Sequence, residues 1–423
     1  MGRAMLFTVS ALVIIAGLTI STNNKRVESL PTRISDSFYE QQAKNIATSL
    51  VDHAIQNLLL DMDWLGSIPA DNYYRGSGTL QTYTQNSSGL DTLDHSVVEW
   101  DEYKALLISR ATYEDYTAEI EVLMQRDSFS KFSYFTDNEP LIYFTDGDVI
   151  NGPVHTNGTF HMKGAPEFNG FVSSPNEWEA HSSGASPVFN GGTNFELPGG
   201  RLLPEQAQID LLRTNSDLAF SGDKEVTFFV SSNEGYARVA EPGCLIATCW
   251  TDYRLSDYNA GEVIISVDGD IDVKGTLKGK VSLHSTDDID IVSDIYYNTN
   301  PLVDSTSADL LGLIAQDEVR VDRWAHSQSG STDLTIHASI MAMDKFVVED
   351  YASGSFRGDL NILGGIVQKE RGAVGTFGGY YGTTGYSKNY VYDERLLQEI
   401  PPSFPRESIF TIVYWKERVL EGT

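Results

Sequence analysis

The chain has 423 residues, 41% of them hydrophobic, with 59 acids against 30 bases and a formal net charge of −29. That length allows one large elongated body or two to three compact domains, and the charge argues against DNA, RNA or another strongly anionic surface as a partner. Cysteine occurs only as Cys244 and Cys249, in Pro-Gly-Cys-Leu-Ile-Ala-Thr-Cys, too few for a cysteine zinc cluster; the pair reads either as a disulfide-stapled loop in an exported chain or as two buried thiols.

In chain order, Ala4 to Ile20 is uncharged and apolar or small throughout. It lies at the lower limit of a membrane span, which needs about 20 residues with a range of about 17–25. A secretory signal is the competing reading, but no small-x-small site precedes Thr22. Ile34 to Trp64 reads as an amphipathic helix, with Phe38, Ile46, Leu50, Ala54, Ile55, Leu58 and Leu59 at helical spacing. Pro31 is expected to break or kink the join. Residues 1–65 are thus read as an N-terminal transmembrane or pilin-like helix. Gly66 to Leu93, rich in Ser, Thr, Gly, Asn and Tyr, reads as an irregular linker. Tyr103–Ile108 and Tyr116–Met124 read as a β-hairpin joined by 110–115, with helix as the alternative, so 66–127 is taken as linker plus hairpin.

From residue 128 the pattern changes. Ser128 to Phe135 suggests one helical turn, and from Leu141 short β runs alternate with Gly, Asn, Asp and Ser turns. Residues 173–260 read as an insertion with one helix near Leu203–Leu212, and strands at Val226–Val230 and Val263–Val267 bracket the cysteine loop. Beyond it, Gly269-Asp-Ile-Asp-Val, Asp287-Asp-Ile-Asp-Ile, Asp317-Glu-Val-Arg-Val and Asp344-Lys-Phe-Val-Val repeat a turn followed by apolar-x-apolar. Ile314, Ile340 and Ile366 recur at intervals of 26. Such self-similarity signals stacked β coils. The fold is expected to be mainly β: a right-handed parallel β-solenoid over 128–400, the N-terminal helix, the hairpin region, and a C-terminal strand and tail over 401–423.

Asp270, Asp272, Asp287, Asp288 and Asp290 are the candidate metal ligands, since oxygen-rich clusters suit Ca²⁺. Asp287 and Asp288 could instead be paired carboxylates of a polysaccharide-degrading enzyme. The same positions are Gly-Asp, Asp-Glu and Asp-Lys in the sister motifs, which favours plain turn residues. The expectation is a protein that is not an enzyme and needs no cofactor, with Ca²⁺ as the one option. His155 in Gly-Pro-Val-His-Thr-Asn-Gly is read as a turn cap, with Asn157 and Gly158 suited to left-handed backbone. Arg357-Gly-Asp is read as a turn. The Gly- and aromatic-rich stretch 372–385, with Phe377, Tyr380, Tyr381 and Tyr386, is read as a cover for the open end of the stack, or as a glycan- or partner-binding loop.

Two stretches resemble known families. Met1-Gly2, the apolar Ala4–Ile20 and the helix Phe38-Tyr-Glu-Gln-Gln-Ala-Lys-Asn-Ile-Ala resemble minor type IV pilins and pseudopilins. That resemblance implies leader cleavage between Gly2 and Arg3, and a helix that packs in a filament core. Residues 129–415 resemble bacterial surface proteins of the domain of unknown function 4900 family. The matching strings are Tyr143–Gly158, Ile336–Ala342, Gln368–Gly375, Tyr392–Leu396 and Pro401–Pro405. Together these imply a structural or adhesive component of a type IV pilus-like or secretion apparatus. It would sit in the cell envelope, inner-membrane anchored or in an extracellular filament. Its partners would be the membrane, other pilin-like subunits and surface glycans, with no nucleic acid. The alternatives are a polysaccharide-degrading β-helix enzyme and a glycan- or Ca²⁺-binding surface module.

Overall fold

The structure, a computed structural model, describes residues 2–73, 75–90, 95–97, 100–197, 199–244, 246, 248–379 and 382–420, with the side chains of 2–14, 16–17, 22–32, 70–73, 260, 377–379, 382 and 419–420 outside the description. Its contacts divide into two compact units: Met1–Asp127 with Ile409–Thr423, and Ser128–Ser408.

In the first unit, helix α1 (Gly2–Leu60) is continuous. It passes through Pro31, where a break was expected; a proline removes one backbone donor, and the helix continues on both sides of it. Strands β1 (Ser67–Tyr73), β2 (Gly76–Tyr83), β3 (Lys104–Tyr113) and β4 (Tyr116–Ser128) form an antiparallel sheet in that order, with the C-terminal strand Arg406–Leu420 at its edge beside β4. The stretch expected to be a linker is therefore mostly β1 and β2. The helical alternative for 103–124 gives way to a hairpin whose turn is Glu114-Asp115, tighter than the expected connection, with Glu114 at φ 52°.

Ala43, Ile46, Ala47, Leu50, Val51, Ala54 and Leu58, three or four residues apart, bury one stripe of α1. They pack on Leu80, Leu107, Ile120, Val122 and Met124 of the sheet. A Cβ on Gly76 or Gly78 would fall 2.6 Å from the Ile46 side chain or 2.8 Å from that of Leu50, so β2 has glycine where the helix seats. Phe38 and Leu59, expected on the apolar face, are 51% and 55% exposed. On the other face of β4, buried Glu119 and Glu121 receive Arg418, and Glu121 also accepts from the Tyr414 hydroxyl at 2.6 Å.

The second unit opens with β5 (Tyr134–Asn138). Short strands follow in sets of three: β6 (Tyr143–Phe144), β7 (Val149–Ile150) and β8 (Val154–Thr156); β9 (His161–Gly164), β10 (Glu167–Phe168) and β11 (Val172–Ser173); β12 (Glu179–Ala185), β13 (Val188–Phe189) and β14 (Thr193–Asn194). Helix α2 (Gln206–Thr214) comes next. After it run β15 (Leu218–Ser221), β16 (Lys224–Ser231), β17 (Glu234–Ala240), β18 (Trp250–Arg254), β19 (Glu262–Asp268), β20 (Ile271–Leu277), β21 (Lys280–Ser285) and β22 (Ile289–Tyr297). Then come β23 (Leu310–Ala315), β24 (Val319–Val321), helix α3 (Ala325–Ser329), β25 (Leu334–Val348), β26 (Phe356–Glu370), β27 (Gly375–Gly379) and β28 (Gly382–Val391). The strand shared with the first unit is β29 (Arg406–Leu420).

One ladder, parallel throughout, runs β15, β19, β21, β23, β25, β26, β5, β8, β11, β14. The order in space is a cyclic permutation of the order in the chain. The chain starts mid-ladder at β5, runs to one end at β14, and returns past α2 to the other end at β15. It then works back to β26, which pairs with β5. The stretch expected as an insertion thus supplies β12 to β14, α2 and β15 to β18. Only β17 and β18, antiparallel beyond β16 and joined through the cysteine loop, leave the parallel pattern in this part of the chain.

The ladder's inner column is Leu218, Ile265, Leu283, Leu313, Ile340, Ile366, Tyr134, Val154 and Val172. Ile340 and Ile366 are register partners, but Ile314 pairs with Met341, one place off the expected column. A shift of one residue changes the face, so Ile314 points to the other side, where Ile264, Met341, Val367, Ile209 and Leu212 of α2, and Phe404 form a second cluster. Both faces of these strands are buried, as unbroken aliphatic runs require. The repeated turn motif does mark equivalent positions: Ile271, Ile289, Val319 and Phe346 are successive register partners.

Candidate functional site

The acids of the repeated turns are placed by the stacking itself. Asp223 accepts the backbone N–H of Asp270 (3.1 Å), Asp270 that of Asp288 (3.1 Å), and Asp288 that of Glu318 (2.9 Å). Elsewhere Asp217 receives Ile264, Asp309 receives Gly279, Asp294 receives Thr335 and Asp333 receives Asp359 in the same way. Where the chain turns beside a paired strand, a backbone donor without a ladder partner is met by a short carboxylate from the neighbouring turn.

Of the five candidate ligands, Asp270, Asp287 and Asp288 bring oxygens within 4.8 Å of one another. Asp272 and Asp290 lie two residues further along, in the outward column Glu225, Asp272, Asp290, Arg320. Arg320 forks onto Asp290 at 2.8 and 2.9 Å and reaches Asp288 at 2.7 Å. The five therefore do not converge on one point. At Asp272, burial, then Asp290 and Glu225, push the carboxyl up to about 6.

His155 is fully buried, with Nδ1 2.8 Å from Ser173 Oγ and Nε2 2.9 Å from Asn157 Oδ1. Burial pulls it down to about 4, so the ring is neutral at pH 7. It ties two coils together. Asn157 and Gly158 do not have the expected left-handed backbone; Gly158 is fixed instead by the Glu139 backbone, 2.8 Å from where its Cβ would stand. Arg357 of the Arg-Gly-Asp tripeptide is only 7% exposed, which removes it from any surface recognition. Cys244 and Cys249 are joined as a disulfide. Gly2 and Arg3 lie where the backbone alone is described, and Tyr380 and Tyr381 lie outside the described residues. The segment holding Tyr386 is β28, which pairs with β26 in mid-stack rather than covering an end.

Sequence reasoning missed a concave region beside the β5–β26 junction. A cleft of about 270 Å³ is walled by Tyr143, Asp146, Asp148, Arg371 and Lys388. The Arg371 guanidinium, with 3% of its side chain exposed, donates to buried Glu139 (2.6 Å) and the Ile142 carbonyl (3.0 Å), and lies 4.0 Å from the Phe144 ring centre. Lys388 faces the same ring, and burial, then Arg371, lower its pKa. Tyr143, Asp146, Asp148 and Arg371 lie in two of the strings that carry the family resemblance, but those strings are more than two hundred residues apart and nothing local pairs them. The cleft offers hydrogen-bond donors and acceptors to a ligand.

Residues 106–176 match the family model described as "Domain of unknown function (DUF4900)". This is the family that the sequence resembles, over a shorter stretch that begins earlier than the 129–415 of the resemblance. The DUF4900 match covers most of the β3–β4 hairpin and the coils β5 to β11, and so includes Glu139, His155 and Asn157. No curated protein matches the chain. Among solved structures, the chain is similar to the competence-associated pilin ComZ from Thermus thermophilus, at 11% identity and a TM-score of 0.33, over 91% of this chain and 98% of that one. No helix among the described residues is long and apolar enough to cross a membrane.

Proposed function

We propose that this chain is a structural, pilin-like subunit of a cell-surface filament or secretion apparatus, with α1 as its assembly element and the second unit as a right-handed parallel β-solenoid body. The observation that carries the reading is the division of labour along α1. Its 59 residues span about 90 Å at 1.5 Å each. Its C-terminal part is buried on a sheet of its own unit, while Ile15, Leu18 and Ile20 further up are 61–63% exposed. A run of exposed aliphatics on one stretch of a long helix marks a surface that other helices or lipid can cover. Type IV pilin helices are used in this way, and the N-terminal resemblance implies the same here.

The solenoid reading rests on parallel ladders with partners commonly 18 residues apart, as in Ile271–Ile289 and Val154–Val172. Right-handedness follows from the preference of parallel crossovers. Non-enzymatic function is favoured because the turn acids bind backbone N–H groups and Arg320. A glycan- or partner-binding role for the body is the second reading, favoured by the cleft at Arg371 and Lys388.

The test is Leu18→Asp in the native host. The wild type is expected to co-purify with sheared filaments, with a mature N-terminus at Arg3 by mass spectrometry, and the variant to drop out of that fraction. An intact Met1 on filament-free protein, or unchanged incorporation of the variant, overturns the proposal.

A further inference from the structure

In the second unit, β26, β28 and α3 bring together Arg357, Tyr386 and His326. Arg357 is 7% exposed and Tyr386 fully buried. The guanidinium carbon lies 5.9 Å from the Tyr386 ring centre, and the His326 ring meets that of Tyr386 edge-on at 6.2 Å. Arg357 Nη2 donates to the Asp350 carbonyl (2.9 Å), but its Nη1 has no hydrogen-bond partner; neither has Tyr386 Oη nor His326 Nδ1. Burial pushes the Tyr386 phenol up, against Arg357; the His326 backbone N–H points toward its oxygen without reaching hydrogen-bond geometry, and the phenol O–H is left with no acceptor. Among the described residues, no carboxylate forms an ion pair with Arg357. The nearby acids Asp294 and Asp322 are engaged elsewhere, accepting from the Thr335 and Trp324 backbones.

Burying an uncompensated guanidinium costs several kcal/mol, and orphaned buried polar atoms in a native protein call for a bound partner. Here three such atoms belong to neighbouring side chains, in a chain whose 59 acids include none, among those described, aimed at this arginine. A water could satisfy the hydrogen bonds but not the charge. A small anion satisfies both.

We propose that Arg357 Nη1, Tyr386 Oη and His326 Nδ1 enclose a monovalent anion of halide size between β26, β28 and α3. The anion accepts from the guanidinium and the phenol and selects the Nδ1–H tautomer of His326, leaving Nε2 to face Ser327 Oγ at 3.4 Å. It acts as a structural ion that completes the coil where β28 joins the stack.

The test uses the full chain in sodium gluconate, with chloride or bromide titrated in at constant ionic strength. Binding to the folded state alone raises the Tm of the second unit by roughly 2–3 °C per tenfold halide above Kd. Arg357→Met is expected to abolish that dependence, and Tyr386→Phe, which removes one donor and keeps the ring, to weaken halide binding about tenfold. Bromide-soaked crystals are expected to show an anomalous peak within contact of Nη1 and Oη. A Tm independent of halide, an equal response in Tyr386→Phe and wild type, or a water in place of bromide overturns the proposal.

Discussion

Lowering the pH from 7.5 to 5 should destabilise the second unit strongly, because it buries three neutral histidines. His155, His284 and His337 are each lowered to about 4, in every case first by burial. Arg201 and Lys131 lower His155 further against Asp137, Arg213 lowers His284 against Asp210, and Asp393 acts against Arg395 at His337. In the unfolded chain the same rings titrate near 6.5. Between pH 6.5 and 4 the unfolded state therefore binds more protons, so stability falls as pH drops through that window. At pH 5 each ring costs about 2 kcal/mol, about 6 kcal/mol for the three. Asp272, raised to about 6, works the other way and returns about 1 kcal/mol. A net loss of about 5 kcal/mol is comparable to the whole stability of many domains. Calorimetry of the second unit's transition at pH 7.5, 6 and 5 measures the loss, and proton NMR of the eight histidines identifies the rings. Three imidazoles should remain neutral at pH 5. If all eight titrate near 6.5, or the transition is equally stable at pH 5, the burial argument fails.

Gly364→Ala should destabilise the second unit by about 2–4 kcal/mol, because φ is 146° and the new Cβ would stand 1.9 Å from the Ala338 carbonyl oxygen; a Tm within a degree of wild type would count against so close an approach of β25 and β26. Arg371→Met and Glu139→Gln should each cost about 3–5 kcal/mol by stranding a buried charge or its partner, and a double change to Met and Leu should recover most of that loss in a denaturant cycle. Asp288→Asn keeps an acceptor for Glu318 N–H but loses Arg320, for a cost of about 1–2 kcal/mol, whereas exposed Asp287→Asn should stay within about 0.5 kcal/mol. Equal losses at the two positions would point to a shared ligand in place of separate turns.

How much of this was legible depended on whether a feature left a local trace. The turn motifs did: an acid one coil away needs a backbone donor at a fixed offset, so Asp270 and Asp288 recur in frame with Ile271 and Ile289. The 26-residue interval from Ile314 did not hold, because two buried faces make Leu313 and Ile314 equally apolar and hide the register. Strands β1 and β2 were obscured by Gly76 and Gly78, which look like loop residues and are there to admit α1. The cyclic permutation left no trace at all, since the Arg371–Glu139 pair that marks its junction spans 232 residues. Arg357 and Tyr386 sat in a tripeptide and beside a glycine-rich stretch whose composition points to surface turns, and only the β26–β28 pairing shows them to be interior.

That permutation has a kinetic consequence. When the ribosome has just produced β5, its open edge has no partner, and the partner it needs, β26, is still more than two hundred residues from synthesis. At 5–20 residues per second, the edge waits roughly 10–50 s. During that interval Tyr134, Phe135 and Thr136 offer an unpaired strand to any neighbouring nascent chain. Misassembly by exchange of β26 between copies is the expected error when the chain is overproduced, and slower expression or a chaperone that holds the β5 edge is the expected remedy.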